Sequence, residues 1–459
     1  MDKSVPITLV TLCLAATALA DDLISAVSKR ADKLADYGIV RGRTAFAAPA
    51  AAPLAVDGKL DEAMYGQPPT FADFSFFGAS ADKPRLPDGK TLGWAAFDAD
   101  NLYFGFRCFE TALNKLRTVC AKADDGAVWE DDEVEIFLDP TLSGADYYQL
   151  MVNAAGTLCD FRLRATYNLP GGILNAIFSA DVAWNSGAKV AVGREANAWT
   201  MEIAIPWKAF GMARGAPGYS CGLNLTRHRI PVEENTGWTR LDGLGGNHNP
   251  RRFGLLVCGS DAPYISLIPP VDFFPGPAAM HLTLRNPSSR EARISGKAEG
   301  VSGEIALPLP AGQEGTLAIP YTVSGTATSA AVAIEVRNNG APFFTGRYTG
   351  PVADLLRISV PRKDIVVSKK TEKVLAEIGL SAEARAVSAL RLELLDGAGK
   401  AVRSGDLRPI PARFLELTLN VGGLKVGRYT LRGALLGADG KPLLTADSAL
   451  NLITDPLDF

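Results

Sequence analysis

The chain has 459 residues, more than a single hydrophobic core usually organises, and its 47 Lys and Arg against 50 Asp and Glu leave a net charge of −3. So even a balance excludes the strong positive field with which a protein holds nucleic acid or an anionic membrane surface. After the first twenty residues no apolar run approaches the roughly 20 residues of a membrane span.

Those first twenty residues have the pattern of a secretory signal. Lys3 leads, Ile7 to Ala18 is mostly apolar, and Ala18-Leu19-Ala20 before Asp21 is a small-x-small cleavage site. Leu12 precedes Cys13 where a lipoprotein would have a small residue. The expectation is a secreted or periplasmic protein beginning near Asp21. Five cysteines then remain, Cys108, Cys120, Cys159, Cys221 and Cys258, an odd number that permits two bridges at most. None forms a CxxC pair, which argues against structural zinc. Cys108 and Cys221 fall on apolar strand faces, where cysteine acts as a small hydrophobe.

Residues 21–55 read as an N-terminal helix and linker. Leu23, Ile24, Val27, Ala31, Leu34 and Ala35 recur at helical spacing up to Gly38, and the low-complexity run from Ala47 to Pro53 follows. From Val56 onward the pattern turns to strands and turns, predicting a β-sandwich over residues 56–259. Leu102, Phe104, Phe106 and Cys108 alternate with polar or small neighbours, as do Tyr148, Leu150 and Val152, and later Trp199, Met201, Ile203 and Ile205. All six tryptophans, Trp94, Trp129, Trp184, Trp199, Trp207 and Trp238, lie in this stretch, so any recognition by the chain belongs there. Trp94, Trp199 and Trp207 read as packing residues.

The segment VWEDDEVEIFLDP, Val128 to Pro140, stands out within it. Trp129 precedes the acidic run Glu130, Asp131, Asp132 and Glu133. Val134, Ile136 and Leu138 then share one strand face, while Glu135, Phe137 and Asp139 share the other. A ring can cover the apolar C–H patch of a pyranose, and a carboxylate can accept from its hydroxyls. Glu135 is expected on the wet face of the sandwich. Asn153, Asn224 and Arg227 either line that face or satisfy backbone groups.

After Gly259 there is no further tryptophan or cysteine. Residues 262–355 and 356–459 each have the size and turn spacing of one immunoglobulin-like β-sandwich, with a boundary between Val352 and Pro361 and hairpin turns at Asp396-Gly397 and Asp439-Gly440. The fold class expected is therefore all-β, with an N-terminal β-sandwich followed by two immunoglobulin-like ones. Spacers, or surfaces for other secreted proteins, are the roles expected of the last two.

Seven motifs then stand in order: DGKLDEAMY from Asp57, FDADNLYFGFRC from Phe97, VWEDDEVEIFLDP from Val128, YYQLMVNAAG from Tyr147, WTMEIAIPWKAFG from Trp199, GLNLTRHR from Gly222 and NPRRFG from Asn249. Together they resemble family 9 carbohydrate-binding modules and the related DOMON-like β-sandwiches over roughly Val56 to Cys258. The resemblance implies a polysaccharide or oligosaccharide ligand, with two tryptophans clamping a terminal sugar. It places Trp129 as the first clamp, Glu135 as an acidic contact and Asn153 as an amide contact. Where the second clamp tryptophan is expected the sequence has Gly245, Gly246, Asn247 and His248, so Asn247 and His248 become the candidates there. Met151 stands where the family can present a cation.

The resemblance also implies structural calcium. Asp57-Gly58, Asp61 and Glu62 have an oxygen-rich look without EF-hand spacing, which makes Asp57 and Asp61 candidate ligands, against the alternative of a solvated turn. The acidic run Glu130 to Glu133 invites the same two readings. Some DOMON relatives hold haem between Met and His, for which Met151, His228 and His248 would have to serve. The sequence has neither GxSxG nor HExxH, and its three histidines, His228, His248 and His281, are scattered. The expected function is non-catalytic recognition of a polysaccharide or glycan end. The alternatives are an adhesion or assembly module without a sugar site, and a polysaccharide hydrolase or its accessory subunit.

Overall fold

Alternating apolar and polar side chains become strand almost wherever the sequence contains them. The computed structural model describes residues 23–29, 38–76, 88–168, 175–239, 246–366, 371–378, 387–410 and 414–454. The signal-like segment lies outside these. Among the described residues there is no α-helix, only short 3-10 turns between strands, and no helix is long and apolar enough to cross a membrane. The chain divides into two compact units, residues 32–353 and residues 354–459 joined by residues 1–31.

The amphipathic helix expected from Asp21 to Gly38 is not what forms. Ile24–Lys29 is a strand, antiparallel to Phe414–Asn420. Leu23 and Ile24 are buried in one cluster with Leu415, Leu417 and Leu419. Tertiary packing on a leucine-rich strand thus overrides a short helical pattern that has few residues to sustain it. The later part of that pattern, Ala31, Leu34 and Ala35, lies outside the described residues.

In the larger unit, the strands of the first sandwich are β1 (Thr44–Pro49), β2 (Ser75–Phe76), β3 (Thr91–Phe97), β4 (Asn101–Phe109), β5 (Glu133–Asp139), β6 (Asp146–Asn153), β7 (Leu158–Asn168), β8 (Asn175–Asp181), β9 (Lys189–Arg194), β10 (Ala198–Pro206), β11 (Ser220–Arg229), β12 (Glu234–Gly237) and β13 (Gly254–Cys258). One sheet runs β9-β10-β4-β3 and the other β13-β11-β5-β6-β7-β8, with β12 pairing β11 and β2. β1 joins them, because Thr44 to Ala47 pair parallel with β13 while Ala48 and Pro49 pair with β3. A strand that switches sheets is how a sandwich turns a corner. Between the sheets, Phe104, Phe106, Met201 and Ile203 meet Val134, Ile136, Leu223 and Leu225, all buried. Trp94, Trp199, Trp207 and Trp238 are buried, as expected of packing residues for the first three.

The residues that follow form a three-stranded sheet (Tyr264–Leu267, Gly276–Arg285, Glu314–Val323) and a four-stranded one (Ile305–Leu309, Ala292–Ala298, Ser329–Asn338, Ala341–Pro351). Their core is continuous with that of the first sandwich. Tyr219 stacks on Phe344 with centroids 6.2 Å apart, Ser220 Oγ donates to Ile265 O at 2.7 Å, and Tyr348 Oη donates to Thr141 O at 2.7 Å. The second sandwich is therefore fused to the first, which is more than a spacer requires.

The other unit contains a four-stranded sheet, in the order Ile24–Lys29, Phe414–Asn420, Thr371–Ile378 and Leu356–Ser359. Its five-stranded sheet runs Asp364–Val366, Pro442–Ile453, Gly427–Leu436, Ala389–Leu395 and Ala401–Leu407. All five described cysteines are free and buried.

Candidate functional site

The outer face of the sheet containing β5, β6 and β11 carries the residues singled out in the sequence. Strand register sets them side by side: Glu135 lies opposite Thr226 on β11 and Met151 on β6, and Phe137 opposite Asn224 and Gln149. This face is not wet, contrary to expectation. Cys120 and Val128, from the segment before β5, close over Met151 and Cys159, while Phe253 covers Phe137, Tyr147 and Leu163. Apolar side chains in those loops find more area to bury on the sheet than in water, so two small satellite cores form there.

Between these satellites Glu135 is buried and hydrogen-bonded at both carboxylate oxygens. Its Oε1 accepts from Gln149 Nε2 at 2.9 Å, and its Oε2 accepts from Thr226 Oγ1 at 2.6 Å and from Asn247 Nδ2 at 3.4 Å. Burial raises its pKa above the usual glutamate value, against the opposing pull of those hydrogen bonds. Gln149 and Thr226 were not among the residues picked from the sequence, although their register with strand β5 is what places them. Glu133 lies on the same strand, and its Oε2 finds no hydrogen-bond partner among the described residues. Burial first, and then the charges of Glu135, Asp132 and Asp131, raise its pKa well above the ordinary value.

Asn153 is placed differently from the expected sugar contact. Its side chain is completely enclosed: Nδ2 donates to Cys120 O at 2.8 Å and Asp131 Oδ2 at 2.9 Å, while Oδ1 accepts from Ala155 N at 3.1 Å and Thr157 N at 2.9 Å. All of its hydrogen-bonding capacity is used within the protein. Asp131 also accepts from Val119 N and Cys120 N, both at 2.9 Å, and Asp132 Oδ2 accepts from Arg117 N at 2.7 Å. The acidic run is accordingly neither a solvated loop nor a row of free ligands. Only Glu130 is exposed, and it pairs with Arg117 at 3.5 Å. Loop amides left without a strand partner need acceptors, and these two aspartates supply them.

The bracket holds Trp129. It lies in the 3-10 turn Gly126–Glu130, whose first residues are capped by Asp125 Oδ1 accepting from Ala127 N at 3.0 Å. The indole is 55% exposed. The Trp129 carbonyl accepts from His228 Nδ1 at 3.0 Å, which ties the turn to the end of β11.

On the other side of Glu135, His248 neighbours Asn247 and stacks on Phe178, with ring centroids 4.2 Å apart and planes at 13°. Its Nδ1 shares a hydrogen bond with Tyr147 Oη at 2.9 Å, and burial pushes its pKa down to about 4, so the ring is neutral at pH 7. Phe178 is itself 48% exposed. No tryptophan occupies the expected second clamp position, but this His248–Phe178 stack presents an aromatic surface. Nothing in the alternation around Phe178 marked it in advance.

The calcium expectation does not fit its candidate residues. Asp57 Oδ2 accepts from Lys59 Nζ at 2.9 Å and Asp57 Oδ1 from Lys59 N at 2.9 Å, so an ammonium group already neutralises the carboxylate. Asp61 is exposed, and among the described residues no group of three or more His, Cys, Asp or Glu is placed to hold a metal ion. As for the haem alternative, Met151 is closed off beside Val128, Cys120 and Cys159, and Tyr147 engages His248 Nδ1.

No curated protein matches the chain. Among solved structures it is similar to a protein from Bacteroides uniformis ATCC 8492, at 18% identity over 47% of this chain and 99% of that one, with a TM-score of 0.37. It is also similar to a family 9 carbohydrate binding module from Caldicellulosiruptor kristjanssonii. In complex with cellotriose that module gives 14% identity over 47% of this chain and 93% of that one, at TM-score 0.32. In complex with glucose it gives 13% identity over 47% and 96%, at TM-score 0.32. Residues 56–257 match the model of the family described as carbohydrate family 9 binding domain-like, and this chain carries a domain of that family over those residues.

Proposed function

We propose that the outer face of β5, β6 and β11 binds the end of a glycan chain without transforming it. The observation that carries this reading is the open indole of Trp129, on a turn whose carbonyl is tied to His228 of β11, the strand that also gives Thr226 to the buried polar cluster of Glu135, Gln149, Thr226 and Asn247. The indole covers the C–H face of a sugar ring, and Glu135 with Asn247 offers an acceptor and a donor to its hydroxyls. Asn153 positions the turn and touches no ligand. His248 and Phe178 supply apolar contact in place of a second clamp tryptophan. Binding modules act where polysaccharide is found, and the signal-like start of the sequence suits an exported protein. The continuous second sandwich stiffens this domain, and the C-terminal unit serves as spacer or partner surface.

Isothermal titration of the whole chain with a panel of neutral oligosaccharides, including cello- and xylo-oligomers, tests this reading. Binding by the parent and its loss in Trp129→Ala is the expected result. Equal affinity in the two proteins removes Trp129 from the site, and reducing-sugar release from a polysaccharide panel overturns the non-catalytic reading.

A further inference from the structure

A cavity of about 720 Å³ opens within the larger unit, where the first sandwich meets the sheet of residues 292–351. Its volume is in the range of small-ligand sites. Tyr148, Arg162 and Phe210 contribute from the first sandwich, and Lys297 and Arg347 from the second. Tyr148 neighbours Gln149 in strand β6, so side chains that alternate across the strand put this cavity on the opposite side of the sheet from the Glu135 cluster. The seam is fixed by Tyr348 Oη donating to Thr141 O and by Arg164 Nη2 donating to Thr349 O at 2.6 Å. The cavity is therefore formed before any ligand arrives.

Two features define what would fit it. The first is a ring surface. Tyr148 lies 5.2 Å from Phe210 and 4.6 Å from Trp184, is only partly buried, and its hydroxyl makes no hydrogen bond among the described residues.

The second is a positive charge that stands outside the ion pairs of the described residues. Each acid lining the cavity already has a base: Asp146 meets Arg164 at 3.0 Å, Glu299 meets Arg347 at 3.7 Å, and Glu335 meets Arg337 at 2.7 Å and Lys297 at 3.6 Å. Arg162, directly across the strand pair from Tyr148, is exposed and has no ion-pair partner among the described residues. A guanidinium fork matches a carboxylate in a way a hydroxyl does not.

We propose that this cavity is a second saccharide site selective for a carboxylate-bearing sugar, a uronate unit of an acidic polysaccharide, with Tyr148 against the ring and Arg162 on the carboxylate. The proposal does not rest on the Trp129 face. Titration of the full chain at pH 7 with oligogalacturonate, its methyl ester and a neutral cello-oligomer, on the parent, Arg162→Gln and Trp129→Ala proteins, tests it. Oligogalacturonate affinity should fall about tenfold or more in Arg162→Gln, the scale of a lost charge-assisted hydrogen bond. Esterification should cause a similar fall in the parent, and Trp129→Ala should leave oligogalacturonate affinity unchanged. Three results overturn the proposal: no binding of the acid oligomer to the parent, equal binding by Arg162→Gln, or a loss confined to Trp129→Ala. Because Arg162 is exposed, its replacement does not threaten the fold.

Discussion

The carbohydrate family 9-like sandwich and the C-terminal unit are both built of paired sheets, yet they treat charge in opposite ways. Every buried polar or charged side chain among the described residues lies between Ser75 and Asn286. The C-terminal unit has an apolar core led by Leu390, Leu392, Leu431 and Leu452, and its ion pairs, such as Arg391 with Asp406 at 2.8 Å, stay near the surface. Burying a charge costs several kcal/mol unless it is well bonded. The first sandwich carries that cost where it holds loops in place: Asp131 and Asn153 at the Trp129 turn, and Arg227 across the sandwich to Lys90 O and Phe109 O at 3.1 and 2.9 Å. The C-terminal unit uses no such buried polar brackets among the described residues.

The largest effect that would break this contrast is at Arg227. Arg227→Ala leaves buried carbonyls without a donor and should destabilise the larger unit by about 3–5 kcal/mol. All six tryptophans lie in that unit, so indole fluorescence against urea reads it separately from the C-terminal one. A loss below about 1 kcal/mol would show the buried network to be incidental.

Next in size is Trp129→Ala, expected to lower glycan affinity by about 1–3 kcal/mol, the scale of one stacked ring, with an unchanged urea midpoint. A fall in stability of the same size would make Trp129 a packing residue.

Glu133→Gln should stabilise the larger unit by about 1–2 kcal/mol at pH 8. The folded pKa of Glu133 lies above its ordinary value of 4.5. Between those values the folded state keeps a proton that the unfolded chain has released, so stability falls as pH rises through that window. The variant should lack this slope, as read by urea midpoints from pH 4.5 to 8.

The smallest effect belongs to the other unit. Asp406→Asn should cost no more than about 1 kcal/mol, because its bonds to Arg391 and Arg408 are partly screened by water. Arg391 and then Arg408 hold Asp406 below its ordinary value of 3.8. What it contributes is present above that value and lost as pH falls through the lower folded one, the reverse of Glu133. Hydrogen exchange of strand Ala401–Leu407 would measure it.

Much of the architecture was legible because period-two alternation survives any tertiary context. Val134, Ile136 and Leu138 face the core as the pattern requires, and Trp94, Trp199 and Trp207 are buried. Ile24–Lys29 misled because six residues of mixed pattern form whichever element their partner offers, and the partner, Phe414–Asn420, is almost four hundred residues away. The openness of Trp129 to solvent was legible, and the surroundings of Glu135 only in part. Alternation correctly turned Glu135 away from the core, but the loops that cover it, and the register that brings Gln149 and Thr226 to it, are non-local. Asn153 was misread for the same reason, since the groups that consume its amide come from residues 120 and 131.

By itself the sequence determined an all-β chain, a family 9-like domain over a defined stretch, and an indole placed before an acidic strand, because composition, strand period and motif order are properties of neighbouring residues. Tertiary structure alone decided which carboxylates brace a loop and which lie buried between strands, that the second sandwich shares the core of the first, and that a cavity lined by an arginine without an ion pair among the described residues opens at their seam. Those outcomes depend on burial and on which distant groups meet, and a linear pattern encodes neither.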